Sequence, residues 1–279
     1  MAIATARTTA ARDERFFVRL EPVVEVIRAA IWSGRIANER PVSVMLIAQQ
    51  ESAKTEVLKY FFGTDTLRYV SDLTSSGLRP YKEDIERGKM RHIVILDLVR
   101  VLSHSKGVGE RTLQSLAALM EEGETATSDA GGMNQWAKFP RIGALMGITP
   151  DFFKSKRGHW RKTGFLTRFI PVSYSYSKST VDAIHERIKD GRTFPIPRAE
   201  GLPEFPNVVN ISRDFSETLS AQAKMLGQAM STHGFRYHRV LRVLAKARAR
   251  LNGRGAVSAV DVSAIIDWSK FFTLTEVEL

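Results

Sequence analysis

Apolar positions along the chain follow two rhythms, one helical and one extended. Phe16, Phe17, Leu20, Val23, Val24, Ile27, Ala30 and Ile31 recur at three- and four-residue steps, which predicts a leading helix ended by Ser33-Gly34. The unbroken apolar run Val42–Ala48 predicts a first strand, with a helix from about Lys54 to Phe62 behind it. Gly63-Thr64-Asp65 is a turn and Leu67–Ser71 a second strand. Arg91–Asp97 predicts a third strand whose apolar run suits burial on both faces. Arg111–Met120 is helical, with Leu113, Leu116, Ala117 and Met120 on one face, and the polar stretch 122–140 reads as a hairpin or loop. Ile142–Thr149 is a fourth strand closed by Pro150, and Phe169–Tyr174 a fifth. Strands alternating with helices predict an α/β fold with a mostly parallel five-stranded sheet covered on both faces. After Lys178 the pattern changes. Residues 192–209 are proline-rich and irregular, and Phe215–Met230, Tyr237–Leu251 and Val260–Phe271 read as helices, the last capped by Ser258. The expected organisation is a disordered tail over 1–15, a core over 16–180, and a linker with a helical lid over 181–279.

Composition narrows the function. A chain of 279 residues suits one α/β domain with a smaller helical appendage. The formal net charge of +11 favours polyanionic partners, chiefly nucleic acid, over a generally basic surface. The surplus is clustered. Lys154, Lys156, Arg157, Arg161, Lys162 and Arg168 run without an intervening acid, as do Arg236, Arg239, Arg242, Lys246, Arg248, Arg250 and Arg254. His159 and Trp160 sit inside the first cluster, and cations mixed with an aromatic suit a DNA surface formed by Lys154, Lys156, Arg157, Trp160, Arg161 and Lys162; the alternative is a solvated turn. In the second cluster Arg236, Arg239, Arg242 and Lys246 share a helix face that is either solvated or reaches a bound nucleotide. The absence of cysteine excludes disulfides and cysteine-ligated metal sites and is compatible with the cytoplasm, the location expected. No apolar stretch is long enough to span a membrane, so no membrane role is expected. The N-terminal segment lacks the apolar core of a secretory signal; a transit peptide is the alternative to a plain tail. The six histidines are dispersed, which argues against a histidine metal site.

The chemistry concentrates after the first strand. A phosphate-binding loop reads G-x-x-x-x-G-K-[ST] between a strand and a helix. Here the segment is Ala48, Gln49, Gln50, Glu51, Ser52, Ala53, Lys54 and Thr55, with alanine at both glycine positions. Lys54 would neutralise phosphate charge and Thr55 would hold Mg²⁺. If the Ala53 position needs a positive φ, its Cβ costs about 1 kcal/mol, and Glu51 would repel phosphate. The plain alternative is a strand-to-helix turn with a surface lysine. Asp97, ending an apolar strand, matches a carboxylate beside the phosphate-bound Mg²⁺. Leu98 follows, where many such enzymes carry the glutamate that orients water. Glu121 or Glu122 could substitute, against the reading of a solvated helix end. Arg168, at the head of the fifth strand, is either a surface charge or a finger aimed at a neighbouring subunit's nucleotide.

Taken in order, the segments ESAKTEVLKYF, HIVILD, TLQSLAALMEEG, RIGALMGITP, GFLTRFIPVSYS and RVLAKARARL…VSAVDV resemble the AAA+ ATPases, closest to the minichromosome-maintenance-like branch and the small ATPases of phages and mobile elements. The resemblance covers about Val42 to Trp268. It implies a P-loop NTPase core with a helical lid, ATP and Mg²⁺ as cofactors, and a homo-oligomeric ring, usually a hexamer, with nucleotide at its interfaces. Lys54 and Thr55 match the Walker A lysine and magnesium ligand, and Asp97 the Walker B aspartate. Thr149 lies at the sensor-1 position, Arg168 matches the arginine finger, and Arg236 (or Arg239, one turn on) is similar to the sensor-2 arginine. Trp136 and Lys138 are the candidates for the DNA-touching hairpin before sensor 1. Ala48, Ala53, Leu98 and Thr149 depart from the family pattern and bear on turnover. The function expected is a ring-forming ATPase acting on DNA. The alternatives are a degenerate relative that binds nucleotide or assembles without efficient hydrolysis, and a plain DNA- or RNA-binding adaptor.

Overall fold

The computed structural model describes residues 17–279 except 75, 104–105, 122–125, 130–131, 136–140 and 192–196. The chain is an α/β protein built on a parallel sheet. Its strands are β1 (Val44–Ile47), β2 (Leu67–Val70), β3 (His92–Ile95), β6 (Gly143–Ile148), β7 (Ile170–Ser175) and β8 (Val277–Glu278), in the order β2-β3-β6-β1-β7-β8. Every pairing in this sheet is parallel. The five predicted strands are all present. The sixth, two-residue β8 comes from the C-terminus and pairs with the end of β7, Tyr174 opposite Val277. A separate antiparallel hairpin, β4 (Ala126–Asp129) with β5 (Gly132–Gln135), falls in the stretch read as hairpin or loop.

The helices are α1 (Glu21–Ser33), α2 (Lys54–Lys59), α3 (Lys82–Glu86), α4 (Leu98–Leu102), α5 (Lys106–Glu121), α6 (Pro150–Lys162), α7 (Lys178–Lys189), α8 (Arg213–Ala229), α9 (Phe235–Leu251) and α10 (Ala259–Ser269). Period-two alternation assigns the two sheet faces. Val44, Leu46, Val94, Leu145, Ile170 and Val172 pack with α1, α2 and α8–α10. Met45, Ile47, Ile93, Ile95, Met146 and Ile148 pack with α3–α6. Both faces are therefore covered, and β1, β3 and β6 are buried throughout, apolar but for His92.

The three C-terminal helices begin and end close to their predicted bounds, and Ser258 with Asp261 forms the capping box of α10. They share one hydrophobic core with α1, β1 and β7. Between β6 and β7 lies α6, where the sequence reading left a turn. Pro150 starts this helix at its first position, where a missing N–H costs nothing, rather than merely closing a strand. The tail over 1–15 falls outside the described residues, as do Glu122, Trp136 and Lys138.

Candidate functional site

The parallel sheet brings the carboxyl ends of β1, β3 and β6 to one edge. Ile47 pairs with Ile148, and Ile95 with Met146, so Ala48, Asp97 and Thr149 all emerge there. Crevices beyond the carboxyl ends of parallel strands are the usual ligand sites of open α/β sheets.

The loop from Ala48 to Ala53 leaves β1 and enters α2. Its Lys54 ammonium folds back into the loop and donates to the carbonyl of Ala48 at 2.6 Å and to that of Gln49, with Ser52 Oγ at 3.4 Å. Ser52 Oγ also donates to the Gln49 carbonyl at 2.5 Å. The Ser52 carbonyl accepts the phenols of Tyr174 at 2.9 Å and Tyr176 at 3.1 Å, both from the end of neighbouring β7. The carbonyls of Ala48, Gln49 and Ser52 are thus taken by side chains. Among the described residues, no protein acceptor forms a well-aligned hydrogen bond with the backbone N–H groups from Gln49 to Glu56. Successive unpaired N–H groups around an ammonium are an anion-binding arrangement.

Two residues of this loop lie in the left-handed region, Glu51 and Ala53, each at φ 60°. Ala53 stands at the second glycine position, so the position does need a positive φ, and the alanine carries a cost of about 1 kcal/mol. Gly147, on β6, closes the cradle from below. A Cβ there would stand 2.8 Å from the Leu96 carbonyl and 3.8 Å from the Cβ of Lys54. Only a residue without a side chain lets β6 pass this close to the site.

Burial lowers the pKa of the Lys54 ammonium, and the Asp97 charge opposes that shift, which sets the two groups within electrostatic reach of each other. Asp97 is exposed and caps α4, accepting the Val99 N–H at 3.0 Å through Oδ1. Its Oδ2 and the Thr55 hydroxyl make no hydrogen bond among the described residues. Two such free oxygens suit a hard cation that keeps most of its water, as Mg²⁺ does. Among the described residues no group of three or more His, Cys, Asp or Glu could hold a metal alone. Burial also raises the pKa of Tyr176, to about 12, so its phenol stays a donor to the loop. Thr149 begins α6 with extended backbone and makes no side-chain cap. Gln49, Gln50 and Glu51 are exposed.

Other predicted residues lie elsewhere. Leu98, the first residue of α4, is fully buried, so the position after Asp97 presents no carboxylate to the site. Glu121 is neither a substitute for that carboxylate nor solvated. It is buried before the start of β6, where Arg239 clasps it through two hydrogen bonds of 2.8 and 2.9 Å, Arg40 pairs with it, and the Arg236 Nε lies 3.7 Å away. Burial alone would raise its pKa; the Arg239 hydrogen bonds and the Arg239, Arg40 and Arg236 charges outweigh this and hold it at about 2. Arg236 also donates to Thr167 Oγ1. Arg236 and Arg239 are therefore held at the amino-terminal edge of the sheet, so neither reaches the phosphate loop of its own chain. Arg168 lies at the same far edge, just before β7, donating to the Gly164 carbonyl at 2.6 Å. Val44 pairs with Ile170, so Arg168 is level with residues ahead of β1, about 20 Å of strand from the loop.

The basic clusters also resolve. Trp160 is 1 % exposed, packed edge-on against Phe153 and Phe165, so it is not part of a nucleic-acid surface. Lys154, Arg157, His159, Arg161 and Lys162 are exposed on α6, and Lys156 partly so. Three more members of the second cluster pair internally: Lys246 with Glu39 at 2.5 Å, and Arg248 and Arg254 with the buried Asp261 at 2.7 and 2.6 Å. No helix among the described residues is long and apolar enough to cross a membrane.

Tyr174 and Tyr176 were missed by sequence reasoning. Their alternate spacing puts both on one face of a strand, a readable signal, but the pairing of β7 with β1 that brings them to Ser52 is not. In comparison with known proteins, the chain matches no protein-family model and no curated protein.

Proposed function

We propose that this chain is a nucleotide-binding protein of the P-loop class that grips the phosphates of ATP in the Ala48–Thr55 loop. The observation that carries this reading is the loop itself: carbonyls occupied by side chains, N–H groups from Gln49 to Glu56 left over, and an ammonium among them. The three donors of Lys54 serve the Ala48 and Gln49 carbonyls and, at 3.4 Å, Ser52 Oγ, and the long Ser52 contact is the one a phosphate oxygen would replace. Thr55 and Asp97 would hold Mg²⁺, which neutralises phosphate charge when bound. Gly147 keeps the floor of the site clear.

Within that class the reading is an AAA+ type ATPase that forms a ring and acts on DNA. Arg168 supports assembly, because its place at the far edge suits a nucleotide held by a neighbouring copy. The exposed cations of α6 support a polyanionic partner. A second reading, nucleotide binding with little hydrolysis, is favoured by one observation. Leu98 is buried core, so the position after Asp97 offers no carboxylate to orient water.

Phosphate release from purified protein, with and without DNA, separates the two. The ATPase reading expects turnover that DNA raises and that Lys54→Ala and Arg168→Ala abolish. Release equal to the Lys54→Ala background, with ATP still bound, supports the second reading. If wild type and Lys54→Ala neither bind ATP nor differ in any way, both readings fail.

A further inference from the structure

A cavity of about 220 Å³ lies at the amino-terminal edge of the sheet, between the Leu166–Arg168 turn and the connection from α8 to α9. It has a cationic wall and an aromatic one. Arg161 and Arg236 supply the cations, and His233, Phe235 and Tyr237 the rings. The Arg161 guanidinium makes no hydrogen bond or ion pair among the described residues. Arg236 belongs to a group carrying surplus charge, since Arg40, Arg236 and Arg239 share the one carboxylate of Glu121. A partly buried excess of cations is costly until an anion offsets it.

The aromatic wall is as informative. Phe235 is 80 % exposed although it opens a long helix, and it stacks on His233 with centroids 5.6 Å apart and an interplanar angle of 23°. A ring pair held flat and open to solvent has no packing purpose; it offers a stacking platform. Gly234 to Tyr237, the N-cap and first turn of α9, line the same space, and Gly234 provides no side-chain cap for the turn's N–H groups. A ligand that satisfies both walls carries a flat ring and a phosphate.

From this juxtaposition we infer that the cavity binds a nucleoside phosphate, the base on the Phe235–His233 pair and the phosphate against Arg161 and Arg236. The unit comes either from a free nucleotide or from the end of a single strand. The site shares no residue with the Ala48–Thr55 loop and does not rest on its reading.

The test measures fluorescence anisotropy of a labelled single-stranded dT oligonucleotide, with unlabelled AMP as a competitor and AMP alone followed by calorimetry. Phe235→Ala and Arg161→Gln, both on the surface, each weaken binding about tenfold or more, while Phe235→Trp retains it and Lys189→Ala, exposed on α7 and outside both sites, leaves it unchanged. Binding of AMP that these variants weaken identifies a mononucleotide site; binding of the oligonucleotide alone, equally sensitive, identifies a strand-end site. Two results overturn the inference: wild type that binds neither probe, or binding that Phe235→Ala and Arg161→Gln leave intact. Because Lys54→Ala reports on the phosphate loop separately, failure here is distinguishable from failure there.

Discussion

Replacing Glu121 with glutamine removes one charge from the point where α5, α9 and the segment before β1 are tied together. Arg239 grips both carboxylate oxygens, Arg40 and Arg236 crowd the same group, and Arg141 donates to the Glu121 carbonyl at 3.1 Å. The side chain is 11 % exposed, so solvent screens it little. Holding its pKa at about 2 instead of 4.5 corresponds, at about 1.4 kcal/mol per pH unit, to about 3 kcal/mol of stability. The folded pKa is the lower one, so folding favours the ionised form. This contribution is complete above about pH 4.5 and disappears as the pH falls toward 2. Glutamine keeps the shape but leaves three guanidiniums without a counter-charge, and breaking a buried ion group this way costs about 3–5 kcal/mol. The assay is urea unfolding of wild type and Glu121→Gln at pH 7 and at pH 3. The variant is expected to be less stable by about 3 kcal/mol at pH 7 and to lose less stability than wild type on acidification. A variant as stable as wild type at pH 7, with the same acid dependence, would refute the reasoning and free Arg236 and Arg239 for another role.

Three further outcomes follow from the site and its surroundings. Ala53→Gly relieves the left-handed backbone but loosens the unfolded chain, so thermal denaturation should show a change between zero and about 1 kcal/mol in favour of the variant, and never a loss of 2 kcal/mol. Leu98→Glu places a carboxylate in the core beside α4 rather than over the site; it should destabilise by several kcal/mol and produce no phosphate release above wild type. Trp160→Ala should cost about 3–5 kcal/mol in denaturant unfolding, while the neighbouring Arg157→Ala stays within about 0.5 kcal/mol, a contrast that a surface tryptophan would not give.

The strands were legible because burial on both faces forces unbroken apolar runs, as Val44–Ile47 and Ile93–Ile95 show. The loop was legible because Lys54 and Thr55 keep their spacing behind the first of those runs. The helix α6 was not, because its only deeply buried aromatics are Phe153 and Trp160, two turns apart, amid a run of cations that resembles a solvated segment. The same sparse pattern made Trp160 look like part of that charge cluster. The roles of Arg236 and Arg239 depended on which edge of the sheet α9 begins at, a matter of tertiary packing with no local signature. Glu121 shows the limit most plainly. At the end of an amphipathic helix it reads as solvated, and only the convergence of Arg40, Arg236 and Arg239 from distant segments buries it.

The most direct test is an equilibrium titration of the purified chain with ATP and Mg²⁺, read by calorimetry, beside Lys54→Ala. The account predicts saturable binding by wild type that the substitution abolishes. Absence of binding by wild type in excess ATP, or equal binding by both proteins, would contradict it.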